Sequence, residues 1–336
     1  MRLAVECCAP QRDARRLARA AARVDWPQFI ATIDRHGIAG LASRALTGVA
    51  PGNAAAALSE RARADAAVNL RAASTIADLE RRFDAASVRR LYLKGLTLSA
   101  LAYGNPFLKA SADIDLLIDP ADVPAAATIL RDAGFSLAVP ARLHQAGLSA
   151  WHKRHKESVW FRSHDGLAVD LHSRLADSPA LLPLTVSAPL QRIAVTPGLT
   201  ISTLATDELV NYLAIHGASS CWFRLKWIAD FAAMRVSRPP RQSVVDRSMA
   251  QALLLADTLF GVGLGDAQRE VILSDRVHRR MLSLAFAAIA AGEPTQRRLG
   301  TLPIHLNQLL MKPGLRFIGG DAWRQFCEAA SKRVAR

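Results

Sequence analysis

Ala112-Asp113-Ile114-Asp115-Leu116-Leu117-Ile118 reads as a buried β-strand with two carboxylates on one face. Side chains alternate across a strand, so Asp113 and Asp115 point one way while Ile114 and Leu116 point the other. Two like charges about 6–7 Å apart along a strand resist burial unless something cationic lies between them. A divalent metal is the usual solution. Upstream, Leu91-Tyr92-Leu93-Lys94-Gly95 closes a strand and opens a helix, a place where backbone N–H groups and the helix dipole favour a phosphate. Glycine lets the backbone approach such a ligand closely, and Lys94 adds a charge. Downstream, Leu167, Val169 and Leu171 face one side of a second strand while Ala168, Asp170 and His172 face the other. If the two acidic faces adjoin in one sheet, Asp113, Asp115 and Asp170 converge. Three converging carboxylates suit metal-dependent phosphoryl transfer, in which two ions about 4 Å apart stabilise the attacking and leaving oxygens.

Outward from this pair of strands the hydrophobic period changes. Residues 12–48 place Trp26, Phe29, Ile30 and Ile33, then Ile38, Leu41 and Ala42, at helical spacing, with Gly37 as a break. After the turn Pro51-Gly52-Asn53, a second helix is expected from about Ala54 to Ala86. Leu58, Ala62, Ala66, Ala73, Ile76 and Phe83 form its inner stripe, with Leu70 and Leu79 at the edges. Short elements follow: a strand over 90–94, a helix over 96–103, the acidic strand, and a helix over 120–134 capped by Asp119 or Asp122. Ser158 to Arg162 and Leu167 to His172 read as a hairpin around His164-Asp165-Gly166. From Thr206 onward the pattern is helical again, with Arg238-Pro239-Pro240-Arg241 as a linker. The expectation is an α+β chain of three parts: an N-terminal helical segment over 1–87, an α/β core over 88–200 and a C-terminal helical domain over 201–336.

Composition bounds the rest. The chain has 336 residues, 51% of them hydrophobic, which predicts a folded, core-forming protein. A formal charge of +14 makes nucleotides, nucleic acid or anionic lipid plausible ligands. The arginines are scattered, however, as on ordinary helix surfaces, and are not interleaved with aromatics, so no nucleic-acid motif is indicated. Cys7, Cys8, Cys221 and Cys327 show no metal-ligand spacing, which predicts reduced thiols in the cytoplasm. Met1 to Pro10 is interrupted by Glu6 and lacks the core of a signal peptide, and Ser283 to Gly292 is too short to span a bilayer. A soluble protein without a membrane partner is expected.

In this order, Lys94-Gly95, Tyr103, Ser111-Ala112-Asp113-Ile114-Asp115-Leu116-Leu117-Ile118 and Val169-Asp170-Leu171-His172 resemble the motifs of an uncharacterised bacterial nucleotidyltransferase family within the DNA polymerase β superfamily. Asp25-Trp26 through His36-Gly37-Ile38 resembles that family's helical entry segment. Phe223-Arg224-Leu225-Lys226-Trp227-Ile228-Ala229-Asp230 resembles a later helix, so the likeness runs from about residue 20 to 270. It implies a polymerase-β-like mixed sheet, dependence on Mg²⁺ or Mn²⁺, and transfer of a nucleoside monophosphate from a nucleoside triphosphate such as ATP to an unidentified hydroxyl acceptor. Asp113, Asp115 and Asp170 become catalytic metal ligands, with Lys94, Gly95, Lys109 and Ser111 around the nucleotide. Two positions depart from the pattern. The usual Gly-Ser or Gly-Gly pair is here Gly95-Leu96, and Lys109 stands where an arginine is common, keeping charge without bidentate geometry.

Several residues carry a plainer reading beside the functional one. His172 shares a face with Asp170 and is within reach of a metal or substrate, although packing is the commoner use of such a histidine. His152 and His155 share a helical face, yet Lys153, Arg154 and Lys156 around them repel a cation. Arg224 and Lys226 suit a triphosphate or an ordinary basic helix edge, Asp230 suits a helix pair with Lys226, and His216 suits packing. The competing reading of the whole chain is a catalytically inactive nucleotide- or RNA-binding module of the same fold. Acidic residues in a cleft give a pure binder of polyanions no advantage.

Overall fold

The structure, a computed structural model, describes residues 1–111, 113–141, 143, 147–237, 246–293 and 300–334, with side chains as far as Phe326. The expected linker at 238–241 and the side chain of Cys327 lie outside the described residues. The chain divides into two compact units, one of Met1–Ala64 and Val210–Glu328, the other of Asp65–Leu209 with Ala329–Arg336. Among the described residues, no helix is long and apolar enough to cross a membrane.

The expected α+β class is observed, with a five-stranded mixed sheet flanked in the chain by helices. Its strands are β1 (Arg90–Tyr92), β2 (Asp113–Ile118), β3 (Ser136–Val139), β4 (Glu157–Arg162) and β5 (Leu167–His172), in the order β1-β2-β5-β4-β3. β2 and β5 run parallel and the other neighbours antiparallel. The alternation that marks the acidic strand also sets its apolar face. Ile114, Leu116 and Ile118 join Leu167, Val169 and Leu171 in a core closed by Ile76, Leu79 and Phe83 and by Val123, Ala126 and Leu130. Those closing residues come from the helices Gly52–Ala85 and Val123–Asp132. Asp119 caps the 3-10 turn that precedes the second of these helices, its Oδ1 accepting from the Ala121 N–H at 2.9 Å. Leu79, expected at the edge of its stripe, is fully buried, whereas Leu70 is 55% exposed. The hairpin between β4 and β5 turns at Gly166, whose φ of +72° lies in the left-handed region that favours glycine. A second antiparallel hairpin, β6 (Leu190–Thr196) with β7 (Leu199–Leu204), has no counterpart in the sequence reading.

The other unit is helical. Trp222 packs edge-on against Phe231, with ring centroids 6.1 Å apart, and its indole N–H donates to Gln251 Oε1 at 3.2 Å. Gln251 donates in turn to the Met281 carbonyl at 2.7 Å and to Asn307 Oδ1 at 3.0 Å, and Asn307 donates to the Ala218 carbonyl at 2.7 Å. The two sequence motifs of this unit meet at His36, whose Nδ1 accepts from the Leu225 N–H at 3.0 Å. Arg224 donates to the Arg35 carbonyl and, at 3.0 Å, to Glu293 Oε2, the internal use of a basic helix edge. His216 sits 5.7 Å from the Tyr212 ring and 5.4 Å from that of Trp227, a packed histidine as expected.

Burial, with Arg35 and Arg224 nearby, lowers the His36 pKa to about 3. A histidine depressed on folding contributes stability that is present above its unfolded value near 6.5 and is lost as pH falls toward about 3. Urea midpoints of the wild type should therefore drop between pH 7 and pH 4. A His36→Gln variant should begin lower at pH 7 and lose less over the same interval.

Candidate functional site

The sheet register builds the site. Asp115 lies opposite Asp170 across the parallel β2–β5 pair, and Leu117 lies opposite His172. Period two therefore sends Asp113, Asp115, Asp170 and His172 out of one face. Across the antiparallel β4–β5 pair, Glu157 lies opposite His172 and joins the same face. Asp115, Asp170 and His172 can each offer one ligand atom, and these atoms lie within 4.8 Å of one another. Asp113 is on the expected face but is not a member of that group.

Asp115 is 4% exposed, a cost that other residues offset. Its Oδ1 lies 2.8 Å from Lys94 Nζ and 3.2 Å from His172 Nε2. Lys94 reaches it because the chain leaving β1 stays paired with β2, the Leu93 N–H donating to the Asp115 carbonyl at 3.1 Å. Burial pushes the Asp115 carboxyl up, but the Lys94 ammonium and His172 outweigh it and hold the group below the usual carboxylate range. Asp170 has the opposite fate. Burial, followed by the charges of Asp113, Asp115 and Glu157, pushes its carboxyl up to about 7. Surplus negative charge of this kind is what a bound cation relieves, and two aspartates with an imidazole form an acceptable donor set for a divalent ion.

Beside this group lies a small cleft lined by Lys94, Gly95, Ser111, Asp113 and Asp115, with apolar Ile76 against it. Asp115 belongs to both the cleft and the ligand group. Gly95 has φ +63° and ψ −124° and precedes the helix Leu96–Tyr103. A Cβ there would come within 2.9 Å of Ser111 Oγ, which itself donates to the Asp113 carbonyl at 2.9 Å. Glycine is thus needed at this position both for its backbone angles and for the approach of Ser111. Lys109 is buried and is not among the described residues lining the cleft. Its N–H donates to Ser99 Oγ at 3.3 Å, and its carbonyl accepts from Asn69 Nδ2 at 2.8 Å.

Glu157 is the residue that the sequence reading missed. Its Oε2 lies 3.2 Å from His172 Nδ1 and 3.1 Å from Lys156 Nζ. Burial raises this carboxyl, but Lys156 and His172 outweigh it and lower it overall. The signal was one more step of alternation before Ser158. His152 stands apart from the ligand group, buried between Ser173 Oγ at 2.9 Å and Ser158 Oγ at 3.0 Å. Burial first, then His172 and Arg174, lower its pKa to about 4. His155 stacks on Trp151 with centroids 3.6 Å apart.

If Lys94 is what keeps Asp115 ionised in the sheet, Lys94→Met should cost about 3–5 kcal/mol, the range for breaking a buried pair. Adding Asp115→Asn should recover part of that loss. Urea denaturation followed by circular dichroism reads both steps, and a Lys94→Met chain as stable as wild type would contradict the pairing.

Comparison with known proteins agrees with the chemistry of the acidic face. No curated protein and no solved structure matches the chain. A family model does match, over residues 22–260, a span that includes both acidic strands and the Gly95 turn. On that match the chain belongs to the family described as uncharacterised nucleotidyltransferase.

Proposed function

We propose that this protein is a metal-dependent nucleotidyltransferase of the polymerase-β type, moving a nucleoside monophosphate from a nucleoside triphosphate to a hydroxyl acceptor and releasing pyrophosphate. The observation that carries the reading is the convergence of acids from two parallel strands, Asp115 opposite Asp170 with Asp113 on the same face, beside the Gly95 cleft. Asp113, Asp115 and Asp170 would hold Mg²⁺ or Mn²⁺. Bound there, the ion supplies charge neutralisation for the triphosphate and the leaving pyrophosphate.

The chain's own groups account for the remaining work. The N–H groups that open the helix Leu96–Tyr103 are free of intrahelical partners and suit phosphate oxygens, and Gly95 lets them be approached. Asp170, opposite Asp115 on the acidic face, is placed to take the acceptor hydroxyl's proton. The acceptor oxygen forms a bond to the α-phosphorus as the bond from that phosphorus to the α–β bridging oxygen breaks, and pyrophosphate departs. Ser111 and Lys94 line the nucleotide side of the cleft. An inactive nucleotide- or RNA-binding module is the second reading. Its weakness is electrostatic, because buried acids beside the cleft repel a polyanion unless a cation accompanies it.

Incubation with each α-labelled nucleoside triphosphate and Mg²⁺ or Mn²⁺ tests the proposal. Label transfer or pyrophosphate release is expected, with Asp115→Asn and Asp170→Asn each reducing it by about 10²-fold or more. Activity that persists in an Asp113→Ala/Asp115→Ala chain would remove the assigned site. Nucleotide binding without any turnover would favour the inactive module.

A further inference from the structure

We propose that Lys94 is an exchangeable counter-cation: its ammonium and the divalent ion are alternatives at Asp115, and the ammonium passes to the phosphates when the ion takes the carboxylate. The inference rests on the metal-dependent reading above. It concerns how ion and phosphate come to depend on each other.

Asp115 belongs both to the ligand group with Asp170 and His172 and to the lining of the cleft. Its Oδ1 lies 2.8 Å from Lys94 Nζ and 3.2 Å from His172 Nε2, so the oxygen that a metal would use already meets the lysine. A divalent ion on this buried carboxylate would face the ammonium across it. Two cations repel strongly where water does not separate them, so they cannot both keep the position. The ion carries more charge and is shared among several acids, which favours it over the ammonium.

The main chain is fixed here while the side chain can turn. The Leu93 N–H donates to the Asp115 carbonyl at 3.1 Å, and Thr97 Oγ1 donates to the Lys94 carbonyl at 3.0 Å and to the Tyr92 carbonyl at 3.3 Å. A lysine is a point charge on a flexible stem, so its ammonium can swing without moving the strand. Its destination lies in the same cleft. Lys94 lines that cleft with Gly95 and Ser111, and Gly95 leads into the helix Leu96–Tyr103, whose opening N–H groups suit phosphate. A lysine that served only the sheet would need no place in this lining. Releasing Lys94 from Asp115 costs less when phosphates receive it, so ion and phosphate favour each other's binding.

The test titrates the full wild-type chain and Lys94→Met with Mn²⁺ alone, read by electron paramagnetic resonance of the free ion. Both are then titrated at saturating Mn²⁺ with inorganic tripolyphosphate, read by calorimetry. Lys94→Met should bind Mn²⁺ alone about 10-fold more tightly than wild type, and tripolyphosphate with Mn²⁺ about 10-fold more weakly, within the usual range of coupling between sites. A lysine with only a structural role would move both affinities the same way or neither. Lys94→Gln keeps an N–H for Asp115 without the charge and should show the same opposed shifts; it decides if Lys94→Met does not fold. Binding of Mn²⁺ alone that is unchanged or weaker without the ammonium would overturn the exchange, as would an unchanged affinity for tripolyphosphate. If wild type binds Mn²⁺ and Asp115→Asn does not, such a result removes the exchange and leaves the metal-dependent reading standing. If neither Mn²⁺ nor Mg²⁺ binds any of these chains, both fall.

Discussion

A carboxylate that is 4% exposed in the middle of a sheet constrains everything placed around it. Burying one charge without compensation costs several kcal/mol, so Asp115 requires positive or donating groups within reach. Lys94 and His172 meet that need from β1's end and from β5, and their positions follow from strand register. Burial, with the charges of Asp113, Asp115 and Glu157, instead pushes the carboxyl of the next acid, Asp170, up to about 7. Acidic and basic side chains then alternate in contact outward through Lys94, Asp115, His172, Glu157 and Lys156. Stability of the sheet and reactivity of the site are two readings of this one series.

The core of the architecture was legible because it depends on local period. Alternation in 112–118 and 167–172 identifies the two central strands, and parallel pairing with Asp115 against Asp170 is all that is needed to bring their acids together. The identity of the group that gathers around Asp115 was less legible. Spacing alone gives Asp113 and Asp115 equal weight, yet the ligand atoms that approach within 4.8 Å come from Asp115, Asp170 and His172. Asp113 sits one pleat earlier, opposite Ala168, and reaches Asp170 through its charge. Glu157 escaped notice because it is the first residue of β4, where a Lys-Glu pair looks like an ordinary solvated strand end.

Elements whose stabilising partners lie far along the chain were harder still. In the β6–β7 hairpin several residues of β6 are exposed, and the apolar contribution, Val195, Leu199 and Ile201, packs into a core whose other members lie far along the chain. In the helical unit, Gln251 is buried because Trp222, Met281 and Asn307 surround it, a relation that no local pattern announces. Gly217 is a similar case. A Cβ there would lie 2.3 Å from the Trp222 ring, so the glycine is explained by a residue whose position only the fold reveals.

The division into units has a consequence for how the chain comes into being. The sheet-bearing stretch Asp65–Leu209 lies between two parts of the helical unit, and both of its ends fall inside continuous helices, Gly52–Ala85 and Thr206–Ser219. On a ribosome, the strands β1 to β7, from Arg90 to Leu204, have been synthesised before Val210 begins the second part of the helical unit. His36 therefore waits through the entire making of the acidic sheet before Leu225 exists to bond it. The order of synthesis favours completion of the sheet first and of the helical unit last.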